Sequence, residues 1–239
     1  MRAIFTGLTM MSMVVCAGVA SAYDANDPNN CNGVDWDDKQ AIVVSQVTAR
    51  PRVNFIKSPY DDNFTADACP TASAACRKKS YLVTRDIVLA GRTRSAFTCV
   101  DYQSPSAKHQ EWTVGWLPSA ALTPLPPMQS PKASDWMGSW VHPGGHLDIV
   151  LAGDGKLKVD GDQAVPTAHD FHTGVVHATA MPRGGVIAFV DDGSVPFDTP
   201  DQGECRVRMQ RVGPWLVVED NSGCGGAGVT FTGLYHRKN

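Results

Sequence analysis

The number and placement of the cysteines constrain this chain more than anything else in it. Of seven cysteines, Cys16 lies in an apolar leader; the others are Cys31, Cys69, Cys76, Cys99, Cys205 and Cys224. None of them forms the C-x-x-C spacing typical of zinc sites. An even set of cysteines in an exported chain predicts three disulfides. Such staples let a small domain hold with a modest core.

Export is expected from the first residues. Arg2 is the only charge before Asp24, residues 3–19 are mostly apolar or small, and Ala20-Ser21-Ala22 offers small residues at alternate positions. That is the pattern of a secretory signal peptide over 1–22. Val15 stands where a lipidated Cys16 would need a small residue, so an acyl anchor is not expected. No later segment reaches the roughly 18 consecutive apolar residues of a membrane-spanning helix. The expected location is periplasmic or secreted. The net charge is −3, with the acidic excess after Leu125. Nucleic-acid binders concentrate basic charge, so that partner class is not expected.

Leu122–Ser134 (LTPLPPMQSPKAS) holds four prolines and reads as a semi-rigid linker. It separates 23–121 from 135–239, each the size of a small domain. In the first part, Arg52–Lys57, Ser80–Ala90, Ser95–Gln103 and Glu111–Leu117 read as strands, rich in β-branched and aromatic residues and bounded by turn formers. Trp112, Val114 and Trp116 fall on one face at period two. Asp35–Thr48 fits a short helix or a strand. In the second part, Leu147–Leu151 and Leu157–Val159 flank Asp154-Gly155 as a hairpin. His177–Met181, Val186–Val190, Cys205–Val212, Trp215–Asp220 and Val229–His236 follow as strands. The fold class expected is all-β: two small antiparallel barrels or sandwiches stabilised by disulfides.

Tyr81-Leu82-Val83, Asp86-Ile87-Val88 and Gly115-Trp116-Leu117, followed by the turn Pro118-Ser119, resemble the bacterial SH3-like domain over about 50–123. That resemblance implies a five-stranded barrel of the cell envelope. The cysteine-bearing loop Ser58–Lys79 departs from its simplest members. From Asp135 to Arg237, DWMGSW, CRVRM and WLVVEDNSGCGGAGVTFTGLY resemble a tail domain of exported bacterial proteins grouped with lysozyme inhibitors.

Gly223-Cys-Gly-Gly-Ala-Gly228 matches the G-x-G-x-x-G of dinucleotide turns, but a β-branched segment follows where that motif needs a helix. A structural role is the better reading. If Cys205–Val212 and Trp215–Asp220 pair across Gly213-Pro214, Val212 faces Trp215 and Arg208 faces Glu219. Cys205 then comes within reach of Cys224, and the expected disulfide is Cys205–Cys224. Of the three pairings open to the other four cysteines, we expect Cys69–Cys76 as a local loop. Cys31–Cys99 would then fasten the N-terminal segment to a strand.

No serine-hydrolase, zincin or Walker pattern occurs. His142, His146, His169, His172 and His177, with Asp148 and Asp170, could hold a divalent metal, although loop histidines are the favoured reading and no cofactor is expected. Trp112, Trp116, Trp136, Trp140 and Trp215 are either sugar-stacking platforms or core, with two or three expected in packing roles. Candidate ligand contacts are Trp112, Trp116 and the carboxylates Asp191, Asp192, Asp198, Asp201 and Glu204, which could steer a basic partner. The function expected is a non-enzymatic envelope binding protein for peptidoglycan or an envelope protein. The alternative is a lysozyme inhibitor acting through the acidic second half.

Overall fold

The computed structural model describes residues 27–34, 42–107, 111–193, 195–200 and 203–238. The expected signal peptide and residues 35–41 of Asp35–Thr48 lie outside them; the described half of that segment forms a strand. The chain is all-β and builds two antiparallel sheets in sequence order. The first holds β1 (Val43–Val47), β2 (Arg52–Ile56), β3 (Arg77–Val83), β4 (Ile87–Arg94), β5 (Phe97–Tyr102), β6 (Thr113–Pro118) and β7 (Leu122–Pro124), in the order β3-β2-β6-β5-β4-β1-β7. That is two strands more than the five the SH3-like resemblance implies. β7 is the start of the expected linker, zipped onto β1 through Leu122, Thr123 and Pro124.

The long apolar runs of this sheet are explained by burial on both faces. Side chains alternate across a strand, and in β5 Val100 enters one core while Phe97 and Cys99 enter another. The first core gathers Val47, Phe55, Leu82, Val88 and Leu117. The second lies beneath the loop after β2 and contains Phe64, Trp116 and four cysteines, joined as Cys31–Cys99 and Cys69–Cys76. These are the pairs read from the sequence. Ser80–Ala90 is not the single strand expected. It bends at Arg85, whose φ of 81° is left-handed; Asp86 Oδ2 accepts the Val83 N–H at 2.8 Å and Val47 O accepts the Arg85 N–H at 2.9 Å. Thr-Arg-Asp holds no glycine or proline to announce that corner.

A short helix, α1 (Ala133–Trp136), leads into the second sheet. It comprises β8 (Gly138–His142), β9 (Gly145–Gly153), β10 (Lys156–Pro166), β11 (Phe171–Ala180), β12 (Val186–Val190), β13 (Arg206–Val212), β14 (Trp215–Asp220) and β15 (Gly233–Arg237). Their order, β11-β10-β9-β8-β15-β14-β13-β12, curls the sheet until its two edge strands approach. One core fills it, with Trp136, Trp140, Phe231 and Tyr235 each fully buried. The hairpin at Asp154-Gly155 forms with both residues at positive φ. β13 and β14 pair in the register read from the sequence, Val212 with Trp215 and Arg208 with Glu219, and those last two side chains form an ion pair. Cys205 and Cys224 are bonded.

The glycine-rich loop serves that bridge. A Cβ at Gly174 would stand 2.3 Å from Cys224 O, and one at Gly225 would meet Val229 at 2.7 Å. Only glycine lets the two backbones approach so closely. β11 is longer than expected and β8 was not expected. β15 starts later than the apolar run, because Thr230 and Thr232 turn their hydroxyls onto the Asp220 carboxylate instead of pairing in the sheet.

The units meet through a further cluster: Val44 and Leu89 of the first sheet against Val212 and Val217 of the second, with Trp112, Ile87 and Leu234 packed around them. Leu216 and Val218 point into the barrel core, so Val217 must point out toward the neighbouring unit. The remainder of the linker is tied to both sheets, through Leu125 N–H to Val44 O and Met128 N–H to Arg211 O, each at 2.8 Å.

Candidate functional site

A cleft of about 400 Å³ opens where the two units meet. Its first wall comes from β4, the end of β5 and the approach to β6, carrying Ile87, Leu89 and Trp112. Its second wall comes from Pro143 after β8, Trp215 at the start of β14, and Leu234 and His236 of β15. The period-two logic that sends Tyr235 into the barrel sends Leu234 and His236 outward into the cleft. Arg85, Asp86, Asp101, Tyr102, Gln103 and Ser104 supply its polar groups. An apolar cleft with a few polar groups at a domain boundary is the usual setting of a small-ligand site.

One buried titratable group lines it, Asp101, and another, His142, packs behind its Trp112. Asp101 is only 8% exposed, under the N-terminal segment that Cys31–Cys99 pins to β5. Its Oδ2 accepts the Val34 N–H at 3.0 Å, while Oδ1 has no hydrogen-bond partner among the described residues. A Cβ at Gly33 would fall 2.4 Å from Oδ1, and Gly33 has φ +99°. Burial raises the Asp101 carboxyl to about 7, a rise only partly opposed by the Val34 N–H. His142, 4% exposed, stacks on Tyr235 at 4.8 Å and faces Trp112 of the other unit at 5.8 Å. Burial lowers its imidazole to about 4; the Gln163 carboxamide works weakly the other way, and the charge of His236 adds to the lowering. Among the described residues, neither ring nitrogen completes a hydrogen bond.

The tryptophans divide cleanly. Trp112 and Trp215 line the cleft. Trp116, named with Trp112 as a candidate ligand contact, is fully buried and donates its indole N–H to Asn29 O at 2.8 Å. No face of that ring is open, so its role is packing. Trp136 and Trp140 are core, and the guanidinium groups of Arg211 and Arg237 lie against the Trp140 ring, 4.3 and 4.8 Å from its centre.

The acidic segment lies away from the cleft. Asp191 Oδ1 accepts the His177 N–H of β11 at 2.6 Å, and Glu204 pairs with Arg206 at 3.4 Å. Asp198 borders a separate groove beside β12, Asp192 holds φ 60°, and Asp201 lies outside the described residues. The histidines are dispersed as well. His146 turns Nδ1 to Asp162 at 2.7 Å and Nε2 to Asp148 at 3.6 Å, so its two nitrogens serve opposite neighbours. His177 pairs with Asp160, and His172 bonds Ala227 O. Among the described residues, no three His, Cys, Asp or Glu side chains are arranged to hold a metal ion.

Sequence reasoning overlooked Arg85, Asp101, Gln103, Pro143, Leu234 and His236. Leu234 and His236 alternate with Tyr235, a legible signal, but the partner wall was not. No family model, no curated protein and no solved structure matches the chain.

Proposed function

We propose that this protein is an exported, non-enzymatic envelope binding protein that seats part of the peptidoglycan in the cleft between its two β-units. The observation that carries the reading is the pairing of Trp112 from one unit with Trp215 from the other around a single cleft. Indole faces suit both sugar rings and apolar side chains. Because each unit supplies one wall, a ligand there binds both at once and favours their closed arrangement. The SH3-like and inhibitor-like resemblances, the expected signal peptide and the three disulfides support an extracytoplasmic setting.

The test is cosedimentation of the purified protein, lacking residues 1–22, with purified sacculi. The expected result is retention that falls at least tenfold in both Trp112→Ala and Trp215→Ala. Full retention of both variants, or none of the parent protein, ends the reading.

A further inference from the structure

Arg85 carries the next step, which rests on the cleft being the ligand site. It sits at the corner between β3 and β4 with φ 81°, a conformation that favours glycine and strains an arginine. The corner itself does not require arginine. It is held by backbone bonds and by the Asp86 carboxylate on Val83 N–H. The Arg85 side chain is exposed at the mouth of the cleft, and among the described residues its guanidinium makes no hydrogen bond or ion pair. Asp86 beside it is committed to Val83, and its charge also faces Tyr102. Across the cleft stands the exposed imidazole of His236. An uncommitted guanidinium lining the same cleft as two indoles is chemically suited to a carboxylate carried on a flat or apolar body.

We infer that the cleft selects a carboxylate-bearing fragment of peptidoglycan, with Arg85 receiving the carboxylate while Trp112 and Trp215 hold the adjoining ring or apolar surface. Two parts of that polymer offer such a group: the lactyl ether of muramic acid once its peptide is removed, and the stem peptide.

The experiment is a tryptophan-fluorescence titration with soluble muropeptides, free stem peptides, peptide-free muramic-acid glycan and neutral N-acetylglucosamine oligomers. The proteins compared are the parent, Arg85→Gly and Arg85→Lys. Glycine suits the corner, so Arg85→Gly is expected to keep or raise the melting temperature while weakening muropeptide binding at least tenfold. Arg85→Lys retains the charge and should fall between them. The neutral oligomers should bind at least tenfold more weakly than muropeptides. Binding by stem peptide or by peptide-free glycan identifies the source of the carboxylate, and either supports the inference. Muropeptide affinity within twofold of the parent in Arg85→Gly, or equal affinity for neutral oligomers, overturns it. If sacculus retention persists in that case, the cleft reading survives alone. If the parent binds neither sacculi nor muropeptides, both fall.

Discussion

The two β-units reach stability by different routes. The second gathers one continuous core with four fully buried aromatic side chains and uses a single disulfide, Cys205–Cys224. The first spreads its apolar residues over both faces of its sheet, and one of those two clusters is half cysteine. Where the apolar side chains are divided between two thin layers, covalent staples take over part of the work of packing. The buried groups whose protonation the fold shifts most also differ: Asp101 in the first unit is an acid and His142 in the second a base, so these two respond to pH in opposite senses.

The largest expected effects come from the staples. In the loop-closure picture, losing Cys31–Cys99, which spans 68 residues, costs about 4 kcal/mol. Losing Cys205–Cys224, spanning 19, costs about 3 kcal/mol, and losing Cys69–Cys76, spanning 7, costs about 2 kcal/mol. Paired Cys→Ala variants followed by urea unfolding check the order. Equal losses from the two longer bridges would erase the proposed contrast between the units.

The pH contrast comes next. His142 is neutral in the fold and has its ordinary affinity for protons when unfolded, so its contribution is present above pH 6.5 and is lost as pH falls toward 4. Asp101 runs the other way. Its protonated form is favoured by the fold, so its contribution is present below pH 3.8 and is lost as pH rises through 7. His142 is worth up to about 3 kcal/mol and Asp101 up to about 4 kcal/mol, and over pH 4–7 they largely cancel. Asp101→Asn should therefore uncover a loss of stability toward acid, and His142→Phe a loss toward neutral pH. A flat profile in both variants would remove the contrast.

Two smaller effects sharpen the comparison. Trp112→Ala removes a half-buried indole at the boundary between the units; it should lower stability by about 1 kcal/mol and strip one wall from the cleft. A double-mutant cycle on Arg208 and Glu219 should give a coupling of about 0.2–1 kcal/mol, because the pair lies across two strands with Arg208 open to solvent.

What was legible in the sequence follows the range of the physics. The β13–β14 register could be read because a tight turn at Gly213-Pro214 fixes every pair that follows it. Disulfide partners were readable where a register or a short loop brought them close. The corner at Arg85 was hidden because a strained arginine leaves no turn signature. The cleft was half visible. Trp112 was singled out, but its placement opposite Trp215 depends on how Val44 and Leu89 dock on Val212 and Val217. Trp116 shares the period of Trp112 yet lies in the core under the cysteine-bearing loop, because periodicity names a face and not what covers it. Asp191 is a carboxylate that composition assigns to a solvated loop, whereas in the structure it accepts the His177 N–H on the free edge of β11.

A ligand seat shared by both units is tested most directly by amide hydrogen exchange of the protein with and without a soluble muropeptide digest. A ligand bound there slows exchange at residues 85–89, 101–105 and 112 in the first unit, together with 215 and 234–236 in the second. Protection confined to 191–204, or to only one of the two units, would contradict a shared seat.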